Sequence, residues 1–393
     1  MKVLQINSVC GIRSTGRICT DIADILKMED HDCMVGYGRE YAPDKYRQLA
    51  IRIGNSRDVK CHVLMTRMLD NTGHGSKHTT TKFLKWVEEY DPDVIHLHNL
   101  HGYYIHLESL FEYLKKSGKP VVWTLHDCWA LTGHCTHFEE LGCRKWEQGG
   151  CYNCPQTKQY PSSIFFDRSK KNFMEKKKWF VGLENMTIVT PSKWLADLVK
   201  CSFLQEYPVQ VIPNGIDLSV FKPTDRGCFR EKYGLQNKKI LLGVASVWSK
   251  SKGLYDFIQL NKTISDDEVI VLVGLTNQQI SSLPKGMIGI SHTDSIRELA
   301  EIYTSADVFL NPTYEDTYPT VNLEAQACGT PVVTYHTGGS IENVPSEHVV
   351  AKGDINELLQ KAREAAKTMD VTFFSKDVCY LEYIRLYHRL ADR

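Results

Sequence analysis

Two carboxylates eight positions apart, Asp316 and Glu324, flank a helix-start signal in the segment Tyr314-Glu315-Asp316-Thr317-Tyr318-Pro319-Thr320-Val321-Asn322-Leu323-Glu324. Pro319 suits the first position of a helix, where its missing N–H costs nothing, and Gly329 followed by Pro331 is a stop signal at the other end. Asp316 is therefore expected in a loop just ahead of a short helix, with Glu324 on the second turn. The N–H groups at Thr320 and Val321, together with the positive end of the helix dipole, attract a phosphate. An ionised Glu324 can accept hydrogen bonds from two neighbouring ribose hydroxyls. The combination describes a nucleoside-diphosphate site. Taken alone, the same spacing also fits a capped helix carrying an ordinary surface Glu.

Further residues extend this chemistry. Lys252 precedes Gly253 at the mouth of a predicted helix, where a flexible ammonium can neutralise a departing diphosphate; by itself it also reads as an exposed Lys. His126-Asp127 follows a strand ending at Leu125, at the strand edge where open α/β sheets bind ligands, and it fits a hydrogen-bonded turn as well. The loop from Gly11 to Gly16 can bring backbone N–H groups close to a bound anion. His96, His98, His101 and His106 are dense enough to suggest a metal, but no carboxylate pattern accompanies them, and they are expected as loop residues. Cys135, Cys143, Cys151 and Cys154 surround Gly142, Gly149 and Gly150, and Cys151-x2-Cys154 is the usual zinc half-site, although the other spacings are looser. Structural zinc, free thiols and disulfides all remain open there.

These residues need a scaffold. At 393 residues the chain suits two domains rather than one core. Lys plus Arg and Asp plus Glu are each 47, so the net charge is zero, and no electrostatic case exists for a nucleic-acid partner. The start of the chain reads as a strand rather than a signal-peptide core, and no stretch approaches the ~20 apolar residues of a membrane span. A cytoplasmic location is expected, with most of the 13 Cys as reduced thiols. Apolar runs at Val3–Asn7, Val94–His98, Val121–Leu125 and Thr187–Thr190 predict strands in the first half. Ile240–Ala245, Val269–Val273, Val308–Leu310 and Val332–Tyr335 do so in the second. Each half opens as strand, loop and helix, with the first helix expected at Ile18–Leu26 and the corresponding one at Leu254–Leu260. Pro213-Asn214-Gly215 is a turn and reads as a hinge.

With these pieces placed, the chain resembles the retaining glycosyltransferases of the GT-B fold, specifically glycosyltransferase family 4, and within it the bacterial enzymes of capsule and exopolysaccharide assembly, colanic-acid type included. The resemblance is carried by the acid-x7-acid block with the following Ala-Cys-Gly-Thr-Pro-Val-Val, Ile212-Pro213-Asn214-Gly215-Ile216-Asp217, Pro191-Ser192, Lys252-Gly253 and Thr337-Gly338-Gly339. It implies an α/β protein with two Rossmann-like parallel-sheet domains facing across a cleft: residues 1–212 on the acceptor side, a hinge at 213–224, and a nucleotide-sugar domain at 225–375. A helix at 376–393 would pack back on the first domain. Closure about the hinge would exclude water from the donor.

The implied activity is metal-independent transfer of a hexose-type sugar from a nucleotide-diphosphate donor, UDP foremost, to a glycan or polyprenyl-linked acceptor in surface polysaccharide assembly. Lys252, Asp316 and His126 take the catalytic roles. Gly16, Arg13, Lys250, Glu315, Thr320, Val321 and Glu324 contact the donor, and the four His residues line the acceptor side. Two positions depart from the family pattern: the first acid is commonly Glu, so Glu315 competes with Asp316, and an Arg usual before the Lys is replaced by Ser246, leaving Lys250 or Arg13 to supply a second charge. Phe165, Phe166, Lys170, Lys171, Phe173, Lys176, Lys177, Lys178, Trp179 and Phe180 interleave charge with rings, which fits peripheral contact of segment 165–180 with the inner face of the cell membrane, or a solvated face of a core helix. A nucleotide-sugar epimerase of the same architecture, or a non-catalytic nucleotide-sugar-binding subunit, are the rival readings.

Overall fold

Near-continuous apolar runs make strands that must be covered on both faces, and parallel sheets result. The structure is a computed structural model describing residues 1–366 and 368–392. The chain divides into one unit of Met1–Pro213 with the chain from Cys379 onward, and a second of Asn214–Val378.

The first unit holds β1 (Lys2–Asn7), β2 (Asp32–Tyr37), β3 (Ala50–Arg52), β4 (Val94–Leu97), β5 (Val121–Thr124), β6 (Met186–Thr190) and β7 (Val209–Val211). They form one parallel sheet in the order β3-β2-β1-β4-β5-β6-β7. Parallel neighbours need crossovers, so helices cover both faces. Leu4, Ile95, Val121, Trp123 and Ile188 pack to one side; Val3, Val94, Val122 and Val189 pack to the other, against Tyr380, Tyr383 and Tyr387. The second unit repeats the plan with β8 (Lys239–Val244), β9 (Glu268–Val273), β10 (Ile288–Ile290), β11 (Val308–Asn311), β12 (Val332–Tyr335) and β13 (Val349–Val350), ordered β10-β9-β8-β11-β12-β13. All its pairs are parallel as well. In each sheet the strand order reverses beside the first strand, and a crevice opens there at the carboxyl ends of β1 and β4, and of β8 and β11.

Five strands escape the apolar-run reading. β2 begins with polar residues, and β3, β7, β10 and β13 are two or three residues long and lie at sheet edges. The helix expected at Ile18–Leu26 starts at Arg13 and ends at Met28. Gly16 therefore sits in a helix rather than a loop, where its carbonyl accepts the N–H of Gly11 at 2.9 Å.

The terminal helix spans Lys376–Ala391, and Arg393 of the expected 376–393 lies outside the described residues, as does Lys367 of the expected second domain. Cys379, Tyr380, Tyr383, Ile384 and Tyr387 are buried against Val3, Ile18 and Ile22. The segment expected as a hinge is anchored at its start within the second unit: Ile216 bridges to Ser375, and the Lys376 ammonium lies 2.7 Å from Asp217.

Candidate active site

In the second unit, the loop after β8 ends in a single 3-10 turn at Lys250–Lys252, followed by Gly253 and the helix Leu254–Leu260. Gly253 has φ 74°, and a side chain there would strike the carbonyl of Pro312, so the turn lies directly against the loop after β11. The N–H of Tyr314 donates to the carbonyl of Ser251 at 2.8 Å and locks the two loops together. This contact brings Lys252 Nζ to 2.7 Å from Asp316 Oδ2 and 3.4 Å from the carbonyl of Glu315. Gly338, with φ 49°, passes under the Asp316 carbonyl where no side chain fits, and the N–H of Gly339 donates to that carbonyl at 3.1 Å. Of the two competing acids, Asp316 is the one whose carboxylate meets Lys252. Glu315 is buried and presents its backbone to the Lys.

The helix Thr320–Ala327 begins immediately afterwards, with Pro319 at its cap position and no side-chain cap. Its first-turn N–H groups thus face the same loop that carries Asp316. Asn322 anchors the helix from within: it accepts from Asn311 at 2.8 Å and donates to Asn343 at 2.9 Å. Glu324 is half-buried, and its Oε2 accepts the Tyr303 hydroxyl at 3.0 Å. Burial and the neighbouring Glu324 carboxylate raise the Tyr303 pKa far above the usual phenol range, so Tyr303 remains the donor and holds the Glu324 rotamer. Nothing in the sequence links Tyr303 to Glu324, because the link is made only when two helices pack.

Ser246 is exposed where the family pattern has Arg, and Lys250 is exposed on the same turn as Lys252. Arg13 belongs to the first unit and is ion-paired with Glu40 at 2.6 Å.

In the first unit, His98, Asn99, His101, Trp123, His126, Asp127 and Trp129 line a small cavity at the carboxyl ends of β4 and β5. His126 Nε2 lies 3.1 Å from His98 Nδ1, and His101 Nε2 lies 2.9 Å from Asp127 Oδ2. Burial pushes the His126 pKa down to about 4 against the pull of Asp127, so His126 is neutral at physiological pH. Burial would raise Asp127, but His101 overrides it and brings the carboxyl down to about 2. The expectation that the four early histidines are loop residues fails for one of them. His96 is a core residue on β4, bonded to Tyr387 at 2.6 Å and Thr124 at 2.7 Å, and His106 caps the helix Leu107–Ser117 by accepting the Ser109 N–H.

Cys135, Cys143, Cys151 and Cys154 line one further cavity with Phe138 and Trp146. Among the described residues no three potential ligands come together as a group able to hold a metal. Cys135 is instead hydrogen-bonded to Cys154, and Cys151 Sγ accepts the Gly133 N–H at 3.1 Å. The aromatic and basic helix is Ser169–Phe180. Phe173, Trp179 and Phe180 are in the core, so the ring face expected at a membrane is already packed; Phe165 and Phe166, ahead of the helix, are exposed. Lys176 is also buried, its ammonium donating to the Trp129 and Thr132 carbonyls at 2.7 and 2.9 Å. No helix among the described residues is long and apolar enough to cross a membrane.

Two Rossmann-like parallel-sheet domains, one carrying a Lys–carboxylate pair beside a helix start at its switch point, define the GT-B class. Residues 15–220 match Glycosyltransferase Family 4 and residues 238–368 match glycosyl transferases group 1. The first match spans more than half of the chain, and the chain belongs to glycosyltransferase family 4. It is 26% identical over 285 residues to WcaC of Escherichia coli, a glycosyl transferase named for colanic acid biosynthesis, covering 69% of this chain and 67% of that one. It is 30% identical over 157 residues to a processive diacylglycerol alpha-glucosyltransferase of Acholeplasma laidlawii, covering 37% of this chain and 47% of the relative. Among solved structures, a sucrose-phosphate synthase from Thermosynechococcus elongatus aligns with TM-score 0.67 at 16% identity, over 99% of this chain and 98% of that one. HepE of Anabaena, solved in complex with UDP, aligns with TM-score 0.62 at 17% identity, over 100% and 99%. These structures share the fold.

Proposed function

We propose that this glycosyltransferase moves a hexose from a UDP-sugar, with retention at the anomeric carbon and without a divalent cation, onto a glycan or lipid-linked acceptor of a surface polysaccharide. The observation that carries the reading is the meeting of Lys252 with Asp316 at the head of the helix Thr320–Ala327. As the bond between the anomeric carbon and the diphosphate breaks, negative charge grows on the phosphates. Lys252, Lys250 and the N–H groups at Thr320 and Val321 are arranged to stabilise it. Glu324, held by Tyr303, accepts the ribose hydroxyls; Asp316 passes from Lys252 to the donor sugar; His126 supports the reacting face. UDP as the base-bearing group draws on HepE, solved with UDP and with UDP-glucose. A lipid-linked or polysaccharide acceptor draws on the names of the two sequence relatives. Among the described residues the Cys form no disulfide, and a reducing cytoplasm is the proposed location.

A thermal-shift panel of nucleotide sugars tests the donor. A ligand at about 100 times its Kd stabilises by about 2.7 kcal/mol, and UDP-sugars are expected to give the largest shift. Turnover is then measured with and without a glycolipid extract and with a chelator. Acceptor-dependent turnover unaffected by the chelator is the expected result. Donor conversion that needs no acceptor would indicate an epimerase, and donor binding with no turnover under any condition would indicate a binding subunit.

A further inference from the structure

Three side chains, one on β1 and two just past the ends of β4 and β5, form a directed chain of hydrogen bonds that ends at His126. Gln5, on β1, is fully buried, and its Nε2 donates to the Cys19 carbonyl at 2.8 Å. A carbonyl only accepts, so the Gln5 amide is fixed in one orientation, with Oε1 as its remaining acceptor. Oε1 lies 3.0 Å from His98 Nε2, which must therefore carry the proton. His98 is buried against the ring of His96, with centroids 3.9 Å apart, and faces His126 on its other side. Burial and these two imidazoles hold it neutral. A neutral imidazole protonated on Nε2 offers a lone pair on Nδ1. That Nδ1 lies 3.1 Å from His126 Nε2, with the two ring planes within 12° of each other, as an in-plane N–H···N bond requires.

From this geometry we infer that Gln5 and His98 are positioning residues, which select the tautomer of His126 protonated on Nε2 and so make its Nδ1 a hydrogen-bond acceptor. The group that His126 recognises is then a hydroxyl of the bound sugar, which donates, and not a carbonyl or carboxylate, which would need an N–H at that atom. This rests on His126 serving the donor site, as proposed above. Bonds between residues 14 to 93 positions apart produce the effect, and the His-rich segment alone does not reveal it.

The test reads the tautomer directly. Long-range proton–nitrogen NMR on the full chain with labelled histidines, assigned with His126→Gln, is expected to show His126 and His98 both protonated on Nε2. In His98→Leu, which offers no acceptor, His126 is expected to become a mixture of tautomers. In His98→Gln, whose amide oxygen can accept from Nε2, the single tautomer should persist. A wild-type His126 protonated on Nδ1 overturns the inference, even if the variants fail to fold. Kinetics with the best UDP-sugar of the panel read the site separately. His98→Leu should lower kcat about tenfold, the loss of one hydrogen bond, with KM unchanged, and His98→Gln should recover most of it. If the tautomers behave as expected while His126→Ala retains full kcat, the donor-site role of His126 is what fails.

Discussion

The Lys252 ammonium lies 2.7 Å from the Asp316 carboxylate, although the two residues are 64 positions apart in the chain. The pair sits where the strand order of the second sheet reverses, and it is partly open to solvent, with side-chain exposures of 34% and 20%. In the proposed donor site, a diphosphate and Asp316 would compete for one cation.

That competition has a signed consequence. Lys252→Ala should lower kcat/KM by roughly 10²–10³, the range for loss of one preorganised charge donor. Asp316→Asn should lower turnover while binding UDP more tightly, by roughly tenfold or about 1.4 kcal/mol. Calorimetric titration with UDP checks both variants, and weaker UDP binding by Asp316→Asn would show that the two groups do not compete.

Glu324 and Tyr303 should act on the nucleoside rather than the phosphates. Glu324→Ala removes charged hydrogen bonds worth about 1.5–3 kcal/mol each, so the affinity for UDP should fall at least tenfold. Uridine should be weakened to the same degree, whereas Lys252→Ala should leave uridine binding unchanged. Tyr303→Phe, which only releases the Glu324 rotamer, should give a smaller loss. Unchanged UDP affinity in Glu324→Ala would refute the donor-site assignment.

The thiol cluster predicts selective reactivity. The hydrogen bond from Cys135 lowers the Cys154 pKa below the ordinary thiol range, while burial raises Cys151 to about 11 and Cys10 to about 12. Cys154 should therefore be alkylated first near neutral pH, as followed by mass spectrometry of digested protein. Metal analysis gives the opposing outcome: zinc near one equivalent, with Cys154 protected, would establish a tetrathiolate site there.

Acid stability should depend on Glu268, which receives Arg363 through two bonds of 2.8 and 2.7 Å. Arg363 holds its folded-state pKa down to about 2, below the ordinary Glu value of about 4.3. A depressed carboxylate pKa means that the unfolded chain binds the proton more readily. The contribution of Glu268 is thus fully present above about pH 4.3 and lost as pH falls towards 2. In urea melts, Glu268→Gln should be less stable than wild type at pH 7, with the difference shrinking as the pH is lowered from 4.5 to 2.5.

Much of the donor site is legible in the chain because it is built locally. Pro319, Gly329 and Pro331 bound a helix, and the carboxylate spacing puts Asp316 ahead of it and Glu324 within it. The long central strands are legible because burial on both faces demands continuous apolar runs, as in Ile240–Val244 and Val121–Thr124. Gly16 misleads: glycine suggests a loop, but here it lies inside a helix with Gly11 folded back on it. The aromatic and basic helix leaves two readings open, membrane contact or a core helix, since alternation of Lys with rings does not reveal which side meets the core.

Sequence alone determined the long parallel strands of two domains and the local setting of Lys252, Asp316 and Glu324, because propensity, periodicity and spacing act within a few residues, while the family was legible through the resemblance of several ordered motifs. Tertiary structure decided which acid pairs with Lys252, what holds Glu324, which histidines are core and which reach the cavity, and the direction of the hydrogen bonds from Gln5 to His126. Those outcomes depend on contacts between distant segments, where a buried donor must find its acceptor, and that requirement has no local signature.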